Sequence, residues 1–289
     1  MGNTGAPIAA MGTELGPHVL AAIQALLGPE QSSLAATGAE AIADLAYGDH
    51  PRQRLDLYKP EGEGPWPILV WVHGGGFLRG EKSSPDHPFN ASIGRWAARS
   101  GLLGAVINYR LAPDSTWPSG GEDVGLAIDW LGQNAPQHGG DPDRILLAGT
   151  SAGSVHIASW LKLAPEAGDV RGAILLSGLY GFTPLDERDR IYFGDTSLYP
   201  ERMPRDAVVE TRLPLFVACA EYDPPRFQAE TLGLLQARLE RHGRMPRAAI
   251  VSGHNHYSLA MHIGGSDRRL ADEILAFARD ACGLSGDLK

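Results

Sequence analysis

The sequence predicts an α/β chain, with a mostly parallel sheet covered by helices on both faces. Three observations lead there. Short apolar runs bounded by turn residues recur without in–out alternation, the pattern of strands covered on both sides. Segments with helical periodicity lie between them, in the order that winds a parallel sheet. The 289 residues, 43% hydrophobic and 20% charged, suffice for one large core, so a single domain over residues 1–289 is expected.

Along the chain, ELGPHVLAAIQALL at 14–27 puts Val19, Leu20, Ile23, Leu26 and Leu27 on a helical stripe. QRLDLYKP alternates apolar and polar residues, which predicts an edge strand closed by Pro60. PILVWVHGG, LLGAVINYRLA, RILLAG, RGAILLSGLY, LPLFVACAEYD and RAAIVSGH predict six further strands. Helices are expected around 89–100, 121–134, 152–163 and 225–241, and over 267–280, where Leu270, Ile274, Leu275 and Phe277 repeat. The stretch from 180 to 213 reads as polar and short, without a long apolar lid. Sites in such sheets form at the carboxyl ends of the strands.

Composition excludes several classes. The net charge is −9 and no lysine- or arginine-rich run occurs, so neither nucleic acid nor an anionic membrane is an expected partner. Apolar stretches fall short of the roughly 20 residues of a membrane span. The N-terminus lacks a basic residue followed by an apolar run, which argues against a signal peptide and for the cytoplasm. Cys219 and Cys282 are too few for a disulfide scaffold and show no metal spacing, so both are expected as buried thiols.

Gly149-Thr150-Ser151-Ala152-Gly153 has the form G-x-S-x-G between a predicted strand and a predicted helix. A nucleophile in so sharp a turn needs neighbours without bulk, and the helix N-terminus favours developing negative charge. Upstream, His73-Gly74-Gly75-Gly76-Phe77 closes a strongly apolar strand. Three glycines let backbone N–H groups face a developing oxyanion. The run lacks the lysine of a phosphate-binding loop, and the pair of motifs points to acyl transfer.

HGGGF, then NYRLAP at 108–113, then GTSAG resemble the hormone-sensitive-lipase-like branch of the α/β-hydrolases, bacterial carboxylesterases included. The likeness runs from about residue 55 to the end. Thr150 stands where the commoner elbow of that branch has aspartate. The resemblance implies an α/β-hydrolase fold, with residues 1–45 as an N-terminal helical cap segment.

A serine nucleophile needs a base oriented by a third group, and this fold orders them serine, acid, histidine. Past the elbow helix stand His242, His254, His256 and His262. His256, three residues after Gly253, matches the family's Gly-x-x-His, with His254 as the alternative base. For the acid, Asp223-Pro224 matches the family context, with Glu221 as a neighbouring carboxylate. The resemblance thus implies a Ser151–His256–Asp223 triad. It also implies an oxyanion hole of Gly75, Gly76 and Ala152, with Gly74 as the alternative member, and a loop-shaping role for His73. Asp123 and His156 are read as structural. Phe77, Leu78, Tyr180, Phe182 and Tyr257 are candidates to line the substrate pocket.

The expected activity is hydrolysis of short-chain or aromatic carboxylic esters through an acyl-enzyme. The alternatives are a formamidase or amidase with the same triad, resembling kynurenine formamidase, or a non-catalytic binder on this fold. No cofactor is expected. His254, His256 and His262 are weighed as metal ligands and set aside, because no carboxylate-rich spacing accompanies them. The expected partner is a small-molecule ester, and a homodimer is compatible with the sequence.

Overall fold

The apolar runs assemble into one eight-stranded sheet in a computed structural model that describes residues 4–36, 38–39, 41–84 and 87–284. The strands are β1 (Ala41–Ala46), β2 (Arg54–Tyr58), β3 (Trp66–Val72), β4 (Leu103–Ile107), β5 (Gly140–Thr150), β6 (Val170–Leu176), β7 (Leu215–Tyr222) and β8 (Arg247–Asn255). Their order is β1-β2-β4-β3-β5-β6-β7-β8. The pairs β1/β2 and β2/β4 are antiparallel, and all others are parallel.

The helices are α1 (Gly5–Met11), α2 (Pro17–Ala36), α3 (Phe89–Arg99), α4 (Ser119–Asn134), α5 (Ala152–Leu163), α6 (Arg190–Phe193), α7 (Tyr199–Arg202), α8 (Arg205–Glu210), α9 (Pro225–His242), α10 (Ser258–Met261) and α11 (Arg269–Cys282). On one face, Val124, Ala127 and Leu131 of α4, Ile157 and Leu161 of α5 and Leu234 of α9 pack on Leu57, Val70, Leu147, Leu175 and Val217. On the other, Ile93 and Ala97 of α3 and Ile274, Leu275 and Phe277 of α11 cover Leu69, Val106, Leu146, Ile174 and Phe216. Both faces are buried, which is why the strands read as unbroken apolar runs. None of the described helices is long and apolar enough to cross a membrane.

Two expectations change. QRLDLYKP is not an edge strand, because β1 pairs outside β2. β1 escapes sequence reading since AIADLA is short, alanine-rich and mostly exposed. The polar residue of the β2 alternation, Asp56, is buried, and it is tolerated there because Lys82 Nζ reaches it at 2.6 Å. The 180–213 stretch carries no long lid, yet it is not merely polar. Tyr192, Phe193 and Met203 are buried against Ala152 and Val155 of α5.

The N-terminal segment forms α1 and α2, whose Ile8, Val19, Ile23 and Leu27 pack on Phe89 and against Tyr222, Tyr257 and Met261. Gln31 Nε2 donates to the carbonyls of Met261 at 3.0 Å and Ile263 at 3.3 Å. The segment is therefore docked beside the loop that follows β8.

Helix α3 crosses the sheet on glycines. A Cβ on Gly94 would sit 2.2 Å from the ring of Tyr58, itself fully buried, and one on Gly104 would meet Gly94 O at 2.6 Å. Gly94→Ala is expected to destabilise the fold by about 2 kcal/mol, despite the better helix propensity of alanine. Urea denaturation checks this as a lower midpoint with an unchanged slope.

Candidate active site

The strand ends of β3, β5, β6, β7 and β8 bring together residues from five loops. Ser151 follows β5 as the cap of α5, at φ 52° and ψ −120°. A non-glycine residue rarely accepts that conformation, and strain of this kind persists only where the surroundings enforce it. Here they do. A Cβ on Gly153 would lie 2.0 Å from Val72 O, and one on Gly149 would lie 2.8 Å from the Gly153 backbone. The two glycines thus allow α5 to approach the end of β3 closely, and the turn tightens at the serine. The Ser151 N–H is tied to Leu176 O at 2.8 Å. Its hydroxyl makes no hydrogen bond with another described residue.

The glycine loop runs beside it, and the Cβ position of Gly74 is 3.4 Å from Ser151 Cβ. Gly75 and Gly76 have φ of 141° and 61°, and a Cβ on Gly75 would overlap Arg79 O. No protein acceptor is bound by the N–H of Gly75, Gly76 or Ala152 among the described residues. The loop is held from below by His73, whose Nδ1–H donates to Gly74 O at 2.7 Å and whose ring stacks on Tyr109 at 4.4 Å. Tyr109 in turn donates its hydroxyl to His73 O at 2.8 Å.

Asp223 is fully buried at the end of β7. Its Oδ1 faces His256 Nδ1 at 2.7 Å. Its Oδ2 accepts from Ala220 N at 2.7 Å and Ser177 Oγ at 2.5 Å. Three donors thus hold one carboxylate in a single orientation. His256 is packed against Phe227 at 4.2 Å, and its Nε2 has no hydrogen-bond partner among the described residues. Glu221, the neighbouring carboxylate, accepts from Gly253 N at 2.8 Å and so ties β7 to the start of the histidine loop. His254 faces away from Asp223, with Nε2 at 3.2 Å from Asp267 Oδ2.

The pocket candidates divide. Leu78 is exposed, and Phe182 and Tyr257 are half-buried. Phe77 is nearly buried, stacked on Tyr192 at 4.5 Å. Tyr180 is a correction: it is fully buried in the sheet core, packed with Val208 and Leu234, and offers no surface to a ligand. Sequence reasoning missed Ser177 and the Tyr192–Phe193 pair. The serine before glycine in LLSG and the aromatic pair in RIYF were the available signals. It also missed Glu230 of α9. This buried carboxylate accepts from the N–H groups of Tyr180, Gly181, Phe182 and Thr183 and from Thr183 Oγ1, at 2.5 to 3.2 Å.

The comparisons with known proteins agree with this architecture. A family model described as BD-FAE matches residues 55–174. A probable carboxylic ester hydrolase of Mycobacterium tuberculosis, LipM, is 33% identical over 159 residues, covering 50% of this chain and 36% of that protein. The carboxylesterase NlhH of the same species is 31% identical, covering 55% of this chain and 57% of that protein. The chain has the α/β-hydrolase fold and is similar to esterases of that fold. An isoprenylcysteine alpha-carbonyl methylesterase of Arabidopsis thaliana is 28% identical, covering 84% of this chain and 64% of that protein. This α/β-hydrolase therefore spans less than two thirds of the length of each of these relatives. Among solved structures, a fungal esterase of Rhizomucor miehei superposes with a TM-score of 0.71 at 20% identity, covering 98% of both chains. Esterase LipW of Mycobacterium marinum gives 0.68 at 24%, covering 93% of this chain and 92% of its own.

Beneath the elbow, His73 and His156 are fully enclosed, and burial lowers them from 6.5 to about 4 and about 3. His156 sits among Phe77, Tyr109 and Tyr192 as a packing residue. Both rings are neutral in the fold, while the unfolded chain protonates them below about pH 6.5. Stability is therefore expected to fall as the pH drops from about 6.5 toward 4, each ring contributing about 1 kcal/mol of the loss by pH 5.5. In His156→Met the acid loss is shallower, which urea titrations at pH 7.5 and 5.5 measure.

Proposed function

We propose that this hydrolase is a serine carboxylesterase acting on short-chain or aromatic carboxylic esters. The observation that carries the reading is the pairing of His256 Nδ1 with the enclosed Asp223 carboxylate at 2.7 Å, beside a serine in the strained elbow conformation. Its relatives LipM and NlhH are a probable carboxylic ester hydrolase and a carboxylesterase.

In this mechanism Ser151 Oγ attacks the ester carbonyl carbon as its proton passes to His256 Nε2. Asp223 keeps the imidazole in the Nδ1–H tautomer and stabilises the imidazolium without taking the proton. The carbonyl π-electrons move onto oxygen, and the N–H groups of Gly75, Gly76 and Ala152 donate to that oxyanion. Collapse of the intermediate expels the alkoxide, which takes the proton from His256 and leaves as alcohol. Water then attacks the acyl-enzyme, giving its proton to His256 Nε2. The second collapse releases the acid and returns the proton to Ser151. Ser177 is a positioning residue for Asp223.

Hydrolysis of a nitrophenyl ester series tests the assignment. Ser151→Ala and His256→Ala should each lose roughly 10⁴-fold or more in kcat. Asp223→Asn should fall by about 10⁴-fold through the wrong tautomer. His254→Ala should retain the ester activity of the parent within about tenfold. Full activity in His256→Ala with loss in His254→Ala would reverse the assignment of the base. A faster rate on a formyl-anilide than on the matched aryl ester would instead mark a formamidase.

A second expected outcome concerns Ser177. Ser177→Ala should lower kcat roughly tenfold with KM nearly unchanged, and Ser177→Thr should recover part of the loss. The same kcat in wild type and Ser177→Ala would remove its positioning role.

A further inference from the structure

At the histidine loop, three donor side chains meet that the mechanism does not use. They are His254 at the end of β8, His262 just after α10, and Asp267 in the turn before α11. One ligand atom from each lies within 4.8 Å of the others. We propose that His254, His262 and Asp267 form a site for a divalent transition-metal cation of the zinc type.

Tautomer logic carries the argument. His262 Nδ1 lies 2.7 Å from Ser258 O, and a carbonyl only accepts, so this nitrogen carries the proton. In the neutral ring, Nε2 is then a bare lone pair. That atom is buried and has no hydrogen-bond partner among the described residues. A buried lone pair without a donor costs free energy unless something fills the position. A metal-ligating histidine usually shows this arrangement, with the far nitrogen donating to a carbonyl and the near one facing the cation.

The other two donors complete the set. His254 stacks on His262 with ring centroids 3.8 Å apart. Its Nε2 is 3.2 Å from Asp267 Oδ2, close to the ~3.3 Å edge of a tetrahedron with bonds of about 2.0–2.1 Å. Its Nδ1 lies 3.1 Å from Ser258 Oγ, which orients the ring from behind. Two imidazoles and one carboxylate suit zinc or cobalt better than calcium or magnesium, which prefer all-oxygen shells. Arg269 is the opposing charge. Its Nε and Nη2 hold Asp267 at 3.0 and 2.5 Å, and its cation weakens binding of another.

A cation here would staple β8, α10 and the start of α11 two residues from His256. It would do so on the loop that Gln31 and Glu30 of α2 already grip through Met261, Ile263 and Ser266. The proposal is independent of the esterase reading, since its site and readout do not involve Ser151.

The test is a Co²⁺ titration of the chelator-treated 289-residue chain, followed by visible d–d absorption and competed with Zn²⁺. Wild type should bind one equivalent with low-coordinate cobalt bands that Zn²⁺ removes, and Zn²⁺ should raise its Tm. His262→Ala and the shape-conserving Asp267→Asn should each weaken binding at least ~10-fold. Arg269→Gln should tighten it by relieving the like charge, and His256→Ala should bind as wild type does. Wild type without cobalt bands or a Zn²⁺-dependent Tm would overturn the site. Binding unaltered in both His262→Ala and Asp267→Asn would overturn it equally, as would loss of binding in His256→Ala.

Discussion

The close approach of α5 to the end of β3 is the constraint on which the rest of the site depends. With hydrogen alone on Gly153, the helix backbone comes against the Val72 carbonyl, where a methyl group would stand 2.0 Å away. That contact sets how sharply the chain must turn after β5, and the turn forces Ser151 into a positive φ. It also decides how near the glycine loop lies, because His73 and Gly74 continue directly from the strand that α5 touches. Ser151 and the N–H groups beside it are therefore positioned by one backbone-to-backbone contact. A side chain's conformational preference has little part in it.

The polar groups around this contact are arranged so that the strained turn cannot relax. Asp223 collects donors from the end of β6, from its own turn and from the histidine loop, which makes three loops answer to one carboxylate. Under the elbow, His73 and His156 behave as enclosed neutral rings among Tyr109, Phe77 and Tyr192. Packing at this density transmits a shift in one ring to its neighbours.

Legibility in the sequence followed the range of the forces involved. The six apolar strand runs and the glycine motifs were readable because their signals are local: burial on both faces, and backbone that excludes side chains. β1 was not readable, since a short alanine-rich strand has its reason for existing in the unpaired edge of β2. Asp56 misled for a related cause. Its alternation looked solvent-facing until Lys82, 26 residues away, turned out to neutralise it. Asp223 and His256 were placed by motif and order, and the structure brings them into hydrogen-bond contact. Tyr180 was misplaced because an aromatic residue after a strand looks the same whether it faces a cleft or the core. Ser177, Glu230 and the Tyr192–Phe193 patch act across 36 to 50 residues of chain, and no spacing rule reaches so far.

Glu230 has a consequence for how such a protein changes over generations. The stretch leaving β6 is hung from this carboxylate through four successive backbone N–H groups, with Thr183 Oγ1 as the sole side-chain tie. Backbone amides are present whatever residues carry them, proline excepted. Mutations beyond Thr183 can thus accumulate while the point of attachment stays fixed. The aromatic wall over the elbow can therefore vary in its side chains without loss of that anchor.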